Sequence, residues 1–200
     1  MTRIGFSAAK ARLLAIAPPA SSARTIDRFG ARDILVDNAG VNTFVHRVDI
    51  DLFLIEEWHS IISVDLDGLF LASRGALKRL LERGGGGISV NIASVVGLAA
   101  KAGIIHRVRS MALELGAKGV RVNAVAPGSI MTDGARKVFD GEDGSFHARM
   151  QALMDHIPLA RPGTVDEIVE RVLFLAAPES RYVKGHGMTI DGGWTAGYMM

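Results

Sequence analysis

After residue 27 the chain alternates short apolar, β-rich runs with longer runs whose apolar residues recur at helical spacing. Ile34-Leu35-Val36 reads as a short strand ending in Asn38-Ala39-Gly40. Residues 56–82 read mainly as helix, with Trp58, Ile61, Ile62, Leu66, Leu69, Phe70, Leu77, Leu80 and Leu81 at near-helical spacing, and Gly84-Gly85-Gly86-Gly87 stops it. Ile88-Ser89-Val90-Asn91-Ile92 is the next strand. Residues 102–116 are the next helix, with Ile104, Ile105, Val108, Met111, Ala112 and Leu115 on one side. Val120 to Ala126 is a third strand, closed by Pro127-Gly128. Residues 129–162 are mixed and carry the polar run Asp140-Gly141-Glu142-Asp143-Gly144. Thr164-Val165-Asp166-Glu167 predicts a capping box opening a helix that runs to about Ala177, before Pro178. Met188-Thr189-Ile190 is the last strand. This alternation predicts an α/β fold with right-handed crossovers and a parallel sheet. The near-continuous apolar strands agree, because parallel strands are covered on both faces.

The first 25 residues differ in character. They hold Arg3, Lys10, Arg12 and Arg24 with no acid, and the apolar stretch Leu13 to Ala17 precedes Pro18-Pro19. That stretch is too short for a secretory signal, so the expectation is an irregular or weakly helical leader ahead of one domain over residues 26–200.

Composition narrows the function classes. Two hundred residues, 48% hydrophobic and 22% charged, suit one soluble domain. With no cysteine, disulfides, thiolate metal sites and a cysteine nucleophile are excluded, and a cytoplasmic location is expected. The net charge is only +2 and no Lys/Arg block stands out, so nucleic acid is not expected as a partner. No apolar run approaches a membrane span; Asp65 and Asp67 interrupt the most apolar stretch, Ile61 to Ala72. His46, His59, His106, His147, His156 and His186 show no ligand spacing, so no metal site is expected. The acidic run from Asp140 lacks the alternation of a calcium loop, and no serine sits in Gly-x-Ser-x-Gly.

Four blocks in order carry a resemblance. They are Asp33-Ile34-Leu35-Val36-Asp37-Asn38-Ala39-Gly40, Val90-Asn91-Ile92-Ala93-Ser94, the stretch from Arg121 through Val122-Asn123-Ala124-Val125-Ala126-Pro127-Gly128 to Thr132, and Asp191-Gly192-Gly193-Trp194. Over residues 26–197 the chain resembles the short-chain dehydrogenase/reductase family. The resemblance implies a Rossmann-like parallel sheet with helices on both faces, NAD or NADP as cofactor, and hydride transfer to or from a small-molecule alcohol or ketone. It implies that Asn38, Ala39 and Gly40 lie against the adenosine side of the cofactor. Ser94 would bond the substrate oxygen. Lys101 would hold the nicotinamide ribose and lower the pKa of a tyrosine. Pro127-Gly128 would turn the chain over the nicotinamide, with Ile130 and Thr132 holding its carboxamide.

The chain also departs from the family. The proton-donating tyrosine stands four residues before the lysine, but that position here is Gly97, and the only tyrosines are Tyr182 and Tyr198. Only six residues separate Ser94 from Lys101, a shorter interval than the family pattern, which is the expectation for an internal deletion. Gly5 and Gly30 are the only glycines among the first 30 residues, so the phosphate-binding turn and the first strands of the doubly wound fold are expected to be missing. The strand at Ile34 would then form an exposed edge. The helix that supplies an asparagine in the family reads Val64-Asp65-Leu66. Three readings follow: an impaired oxidoreductase whose specificity lies between Met131 and Ile157; a non-catalytic relative that oligomerises through the two long helices, with itself or with an intact related subunit; or a gene remnant.

Overall fold

The structure is a computed structural model and describes residues 13–15, 25–41, 51–96, 99–139 and 145–197. Five strands form one parallel sheet in sequence order: β1 (Leu13–Ala15), β2 (Ile34–Asp37), β3 (Gly87–Ile92), β4 (Val120–Pro127) and β5 (Gly187–Ile190). The helices are α1 (Ile55–Ile62), α2 (Gly68–Arg83), α3 (Ala99–Leu115), α4 (Asp133–Phe139), α5 (Ser145–Met154) and α6 (Val165–Ala176), with a single helical turn over residues 25–29.

The strand positions follow from their side chains. β2 is buried throughout, and Val120, Val122, Ala124, Val125 and Ala126 of β4 are buried on both faces, as a covered parallel sheet requires. One face carries α2 and α3: Leu69, Leu77 and Leu80 join Ile104, Val108, Met111 and Leu115 over Val120, Val122, Ala124 and Ala126. The other face carries α6, whose Leu175, Ile168 and Val172 cover Val90 and Val125. Helices therefore lie on both faces, as the resemblance implied.

Four expectations change. Leu13, Leu14 and Ala15 pair in parallel with Ile34, Leu35 and Val36, so this part of the leader is strand, and β2 is not the sheet edge. The sheet thus has a strand where the first strand of a doubly wound fold would pair; the other leader residues before Thr25 lie outside the described residues. Uniformly right-handed crossovers also fail. The strands step in one direction, yet α2 and α3 lie on one face and α6 on the other, so the last crossover has the opposite hand. The helix expected over residues 56–82 is broken by one π turn, Ser63–Asp67. Finally, Trp58 and Phe70 are exposed rather than core, and the Arg107 guanidinium lies 4.5 Å from the Phe70 ring centre.

The capping box forms as expected. Thr164 Oγ1 accepts from the Glu167 amide at 3.3 Å, and Glu167 Oε2 accepts from the Thr164 amide at 2.7 Å. Arg161 reinforces it from outside, donating to Glu167 Oε1 at 2.6 Å and holding that carboxyl down to about pKa 2.

Candidate active-site crevice at the C-terminal edge of the sheet

Parallel strands deliver their exits to one edge, and here β2, β3 and β4 bring the predicted residues there. Asn38, Ala39 and Gly40 leave β2 exposed. Ser94 leaves β3, and Lys101 stands in the first turn of α3. Pro127 and Gly128 end β4, and Ile130 and Thr132 follow.

The strongest contacts converge on Lys101. Its Nζ lies 3.4 Å from Asp65 Oδ2 and donates to the Ile92 carbonyl at 3.5 Å. A Cβ on residue 40 would stand 2.7 Å from that Nζ and 3.1 Å from Asp65 Oδ1, so glycine there lets the loop close over the ammonium. The Val41 amide donates to Asp65 Oδ1 at 2.8 Å. Asp37, which the motif reading did not single out, is 3% exposed beneath this group, and its Oδ2 has no hydrogen-bond partner. Burial pushes its carboxyl up to about pKa 6; the Lys101 ammonium opposes this and the Asp65 carboxylate adds to it. Its signal in the sequence is an acid at the end of an otherwise apolar strand.

The other predicted residues are held by local bonds. Ser94 Oγ accepts from the Val96 amide at 3.1 Å, and among the described residues no direct bond joins Ser94 to Lys101. Gly97, in the tyrosine's place, lies outside the described residues, as do Asp140–Gly144 and Tyr198. Tyr182 is fully exposed, and it lies at the opposite edge of the sheet, before β5, so it does not reach Lys101. Gly128 packs against the exit of β5: a Cβ there would stand 2.6 Å from Asp191 Cβ and 2.8 Å from Asp191 Cα. Ile130 bridges to Gly163, and Thr132 Oγ1 accepts from the Ala135 amide at 3.0 Å, closing the start of α4. A small pocket of about 90 Å³ lies beside this loop, lined in part by Ser129, Ile130 and Asp191.

A larger cleft, about 470 Å³, opens at the opposite edge of the sheet among Asp33, Arg83, Arg121, Arg181 and Lys184. Arg83 pairs with Asp33 at 2.6 Å, and two of the other cations serve carbonyls where helices end. Lys184 donates to Gly116 O at 3.3 Å, and Arg121 donates to Ala177 O at 3.2 Å and to Ser180 O at 3.1 Å. Cations at the negative ends of helices stabilise the fold, and none of the predicted site residues lines this cleft.

Residues fit a nicotinamide cofactor unevenly. The crevice edge offers the Lys101 ammonium and a buried acid with an unpartnered oxygen, which suit a ribose, beside an exposed Asn38-Ala39-Gly40 turn that leaves room for the adenosine side. Among the described residues no glycine-rich turn leads into a helix beside β2 to receive a pyrophosphate. No group of three His, Cys, Asp or Glu among the described residues is placed to hold a metal, and no described helix is long and apolar enough to cross a membrane.

Residues 19–195 match the family described as Enoyl-(Acyl carrier protein) reductase. The chain is 32% identical over 188 residues to 2-dehydro-3-deoxy-D-gluconate 5-dehydrogenase of Escherichia coli, covering 89% of this chain and 71% of that one. It is 35% identical over 182 residues to 3-oxoacyl-[acyl-carrier-protein] reductase of Synechocystis, covering 84% and 67%. Among solved structures, it superposes on levodione reductase with TM-score 0.81 at 32% identity, covering 90% of this chain and 72% of that one. It also superposes on a putative 2-deoxy-d-gluconate 3-dehydrogenase from Agrobacterium tumefaciens with bound NADP, with TM-score 0.75 at 34% identity, covering 85% and 69%.

Proposed function

The chain belongs to the short-chain dehydrogenase/reductase family of NAD(P)-dependent oxidoreductases, and on that premise we propose that its crevice keeps the nicotinamide end of a hydride-transfer site while lacking the proton donor. The carrying observation is the Lys101 ammonium lodged beneath Gly40 at the exits of β2 and β3, without a tyrosine four residues earlier. The bound nicotinamide would supply or accept the hydride. Asn38, Ala39 and Gly40 would let the adenosine side approach the sheet. Lys101 would bond the ribose, Ser94 would bond the oxygen of a small hydroxy or oxo substrate, and Ile130 with Thr132 would hold the carboxamide. Lys101 is paired internally with Asp65, whereas Ser94 and Thr132 each accept one backbone hydrogen bond and keep a hydroxyl proton to donate.

The short interval from Ser94 to Lys101 supports an internal deletion that removed the tyrosine and the first turn of its helix. Loss of a positioned general acid commonly lowers rates by about 10² to 10⁴. The test is titration with NADH and NADPH by fluorescence, followed by a panel of small ketones. Weak binding with turnover at least about 100-fold below an intact relative is expected. Turnover at ordinary enzymatic rates overturns the reading.

Exposed apolar surface favours a second reading, in which the chain works through oligomerisation. Phe70, Leu71 and Leu113 are 43%, 60% and 86% exposed on α2 and α3. Co-expression with a full-length relative is expected to give a mixed oligomer on size-exclusion chromatography; separate elution removes this reading.

A further inference from the structure

Ile61, Asp65 and Leu69 follow one another at helical spacing on the inward face of the α1–α2 segment, and all three are buried. A carboxylate on an apolar face costs several kcal/mol of desolvation unless it is paired and hydrogen-bonded. Asp65 has both kinds of partner. Oδ1 takes the Val41 amide at 2.8 Å and Oδ2 faces Lys101 Nζ at 3.4 Å, so one side chain joins the β2 exit, the π turn and α3. Asp37 is the other acid facing this ammonium. The Asp65 side chain is 2% exposed and that of Lys101 16%, which keeps water from screening the pair.

We propose that Asp65 is a positioning residue that captures the Lys101 ammonium beneath Gly40, so that the lysine stands in the crevice fixed and neutralised by a carboxylate. Its significance for cofactor binding rests on the reading given above; the clamp itself does not. A lysine committed to Asp65 offers a ribose less of its charge, and a ligand that recruits it competes with the carboxylate. An asparagine at this position reverses the interaction. Its oxygen still accepts from Val41, but its amide presents donors to a donor, and the lysine keeps only the Ile92 carbonyl and the facing Asp37.

The test is competitive acetylation followed by peptide mass spectrometry, with exposed Lys118 as the internal reference. In the unaltered chain Lys101 is expected to react at least about tenfold more slowly than Lys118, because its amine is both paired and shielded. In Asp65→Asn the ratio of Lys101 to Lys118 modification is expected to rise at least about fivefold. An unchanged ratio in an Asp65→Asn chain that still melts cooperatively overturns the proposal. If that variant does not fold, equal rates for Lys101 and Lys118 in the unaltered chain overturn it instead. NADPH titration separates the two ideas. Tighter binding by Asp65→Asn supports both, whereas a raised acetylation ratio without NADPH binding by either chain keeps the clamp and removes the nicotinamide reading.

Discussion

Gly40 and Lys101 stand in a relationship that only a missing side chain allows: a Cβ on residue 40 would lie 2.7 Å from the lysine's Nζ. The same kind of contact recurs at Gly128, but against backbone, 2.8 Å from Asp191 Cα. The two glycines should therefore respond differently to the same change. Gly40→Ala meets the end of the Lys101 side chain, which can shift and still reach Asp65, and should cost about 1 kcal/mol. Gly128→Ala must push the exit of β5 and should cost about 2 kcal/mol or more. Urea unfolding of the two variants measures the difference, and equal costs contradict it.

Asp37 gives the fold a specific pH dependence. Its folded pKa of about 6 lies above the unfolded value of 3.8, chiefly through burial, so the native state binds this proton more tightly. Its stabilising effect is fully present below about pH 4 and is lost as pH rises through 6. A shift of this size corresponds to roughly 2–3 kcal/mol. Asp37→Asn removes that contribution to the pH profile and should gain stability relative to the unaltered chain at pH 7 more than at pH 4.5. Thermal melts at both pH values check this; a difference between the two chains that is independent of pH contradicts it.

Removing the Thr164 hydroxyl orphans the Glu167 amide at the start of α6. Thr164→Ala should cost about 1 kcal/mol and lower the melting temperature by about 2–4 °C. Thr164→Ser, which keeps the acceptor, should restore most of it.

Arg121 joins β4 to the segment after α6 through the Ser180 and Ala177 carbonyls and Ser180 Oγ. Arg121→Met leaves these acceptors without their charged donor and should cost about 2 kcal/mol or more. It should leave the relative acetylation of Lys101 unchanged, because the two groups lie at opposite edges of the sheet.

The four motif blocks and the apolar runs were legible because they depend on spacing along the chain. Period and capping assign β2 to β5 and place α2, α3 and α6, and the C-terminal exits of parallel strands bring Asn38, Ser94, Lys101 and Thr132 to one edge. The absence of a tyrosine four residues before Lys101 was equally plain. Other features depend on neighbours distant in the chain. Leu13–Ala15 carries too short a pattern to be recognised as a strand, and it becomes one only by pairing with Ile34–Val36. The π turn redirects a segment whose composition reads as continuous helix. The face chosen by α6 depends on which side of β3 and β4 remains open once α2 and α3 are packed. The engagement of Lys101 by Asp65, 36 positions earlier, is a matter of three-dimensional distance, and no local periodicity encodes it.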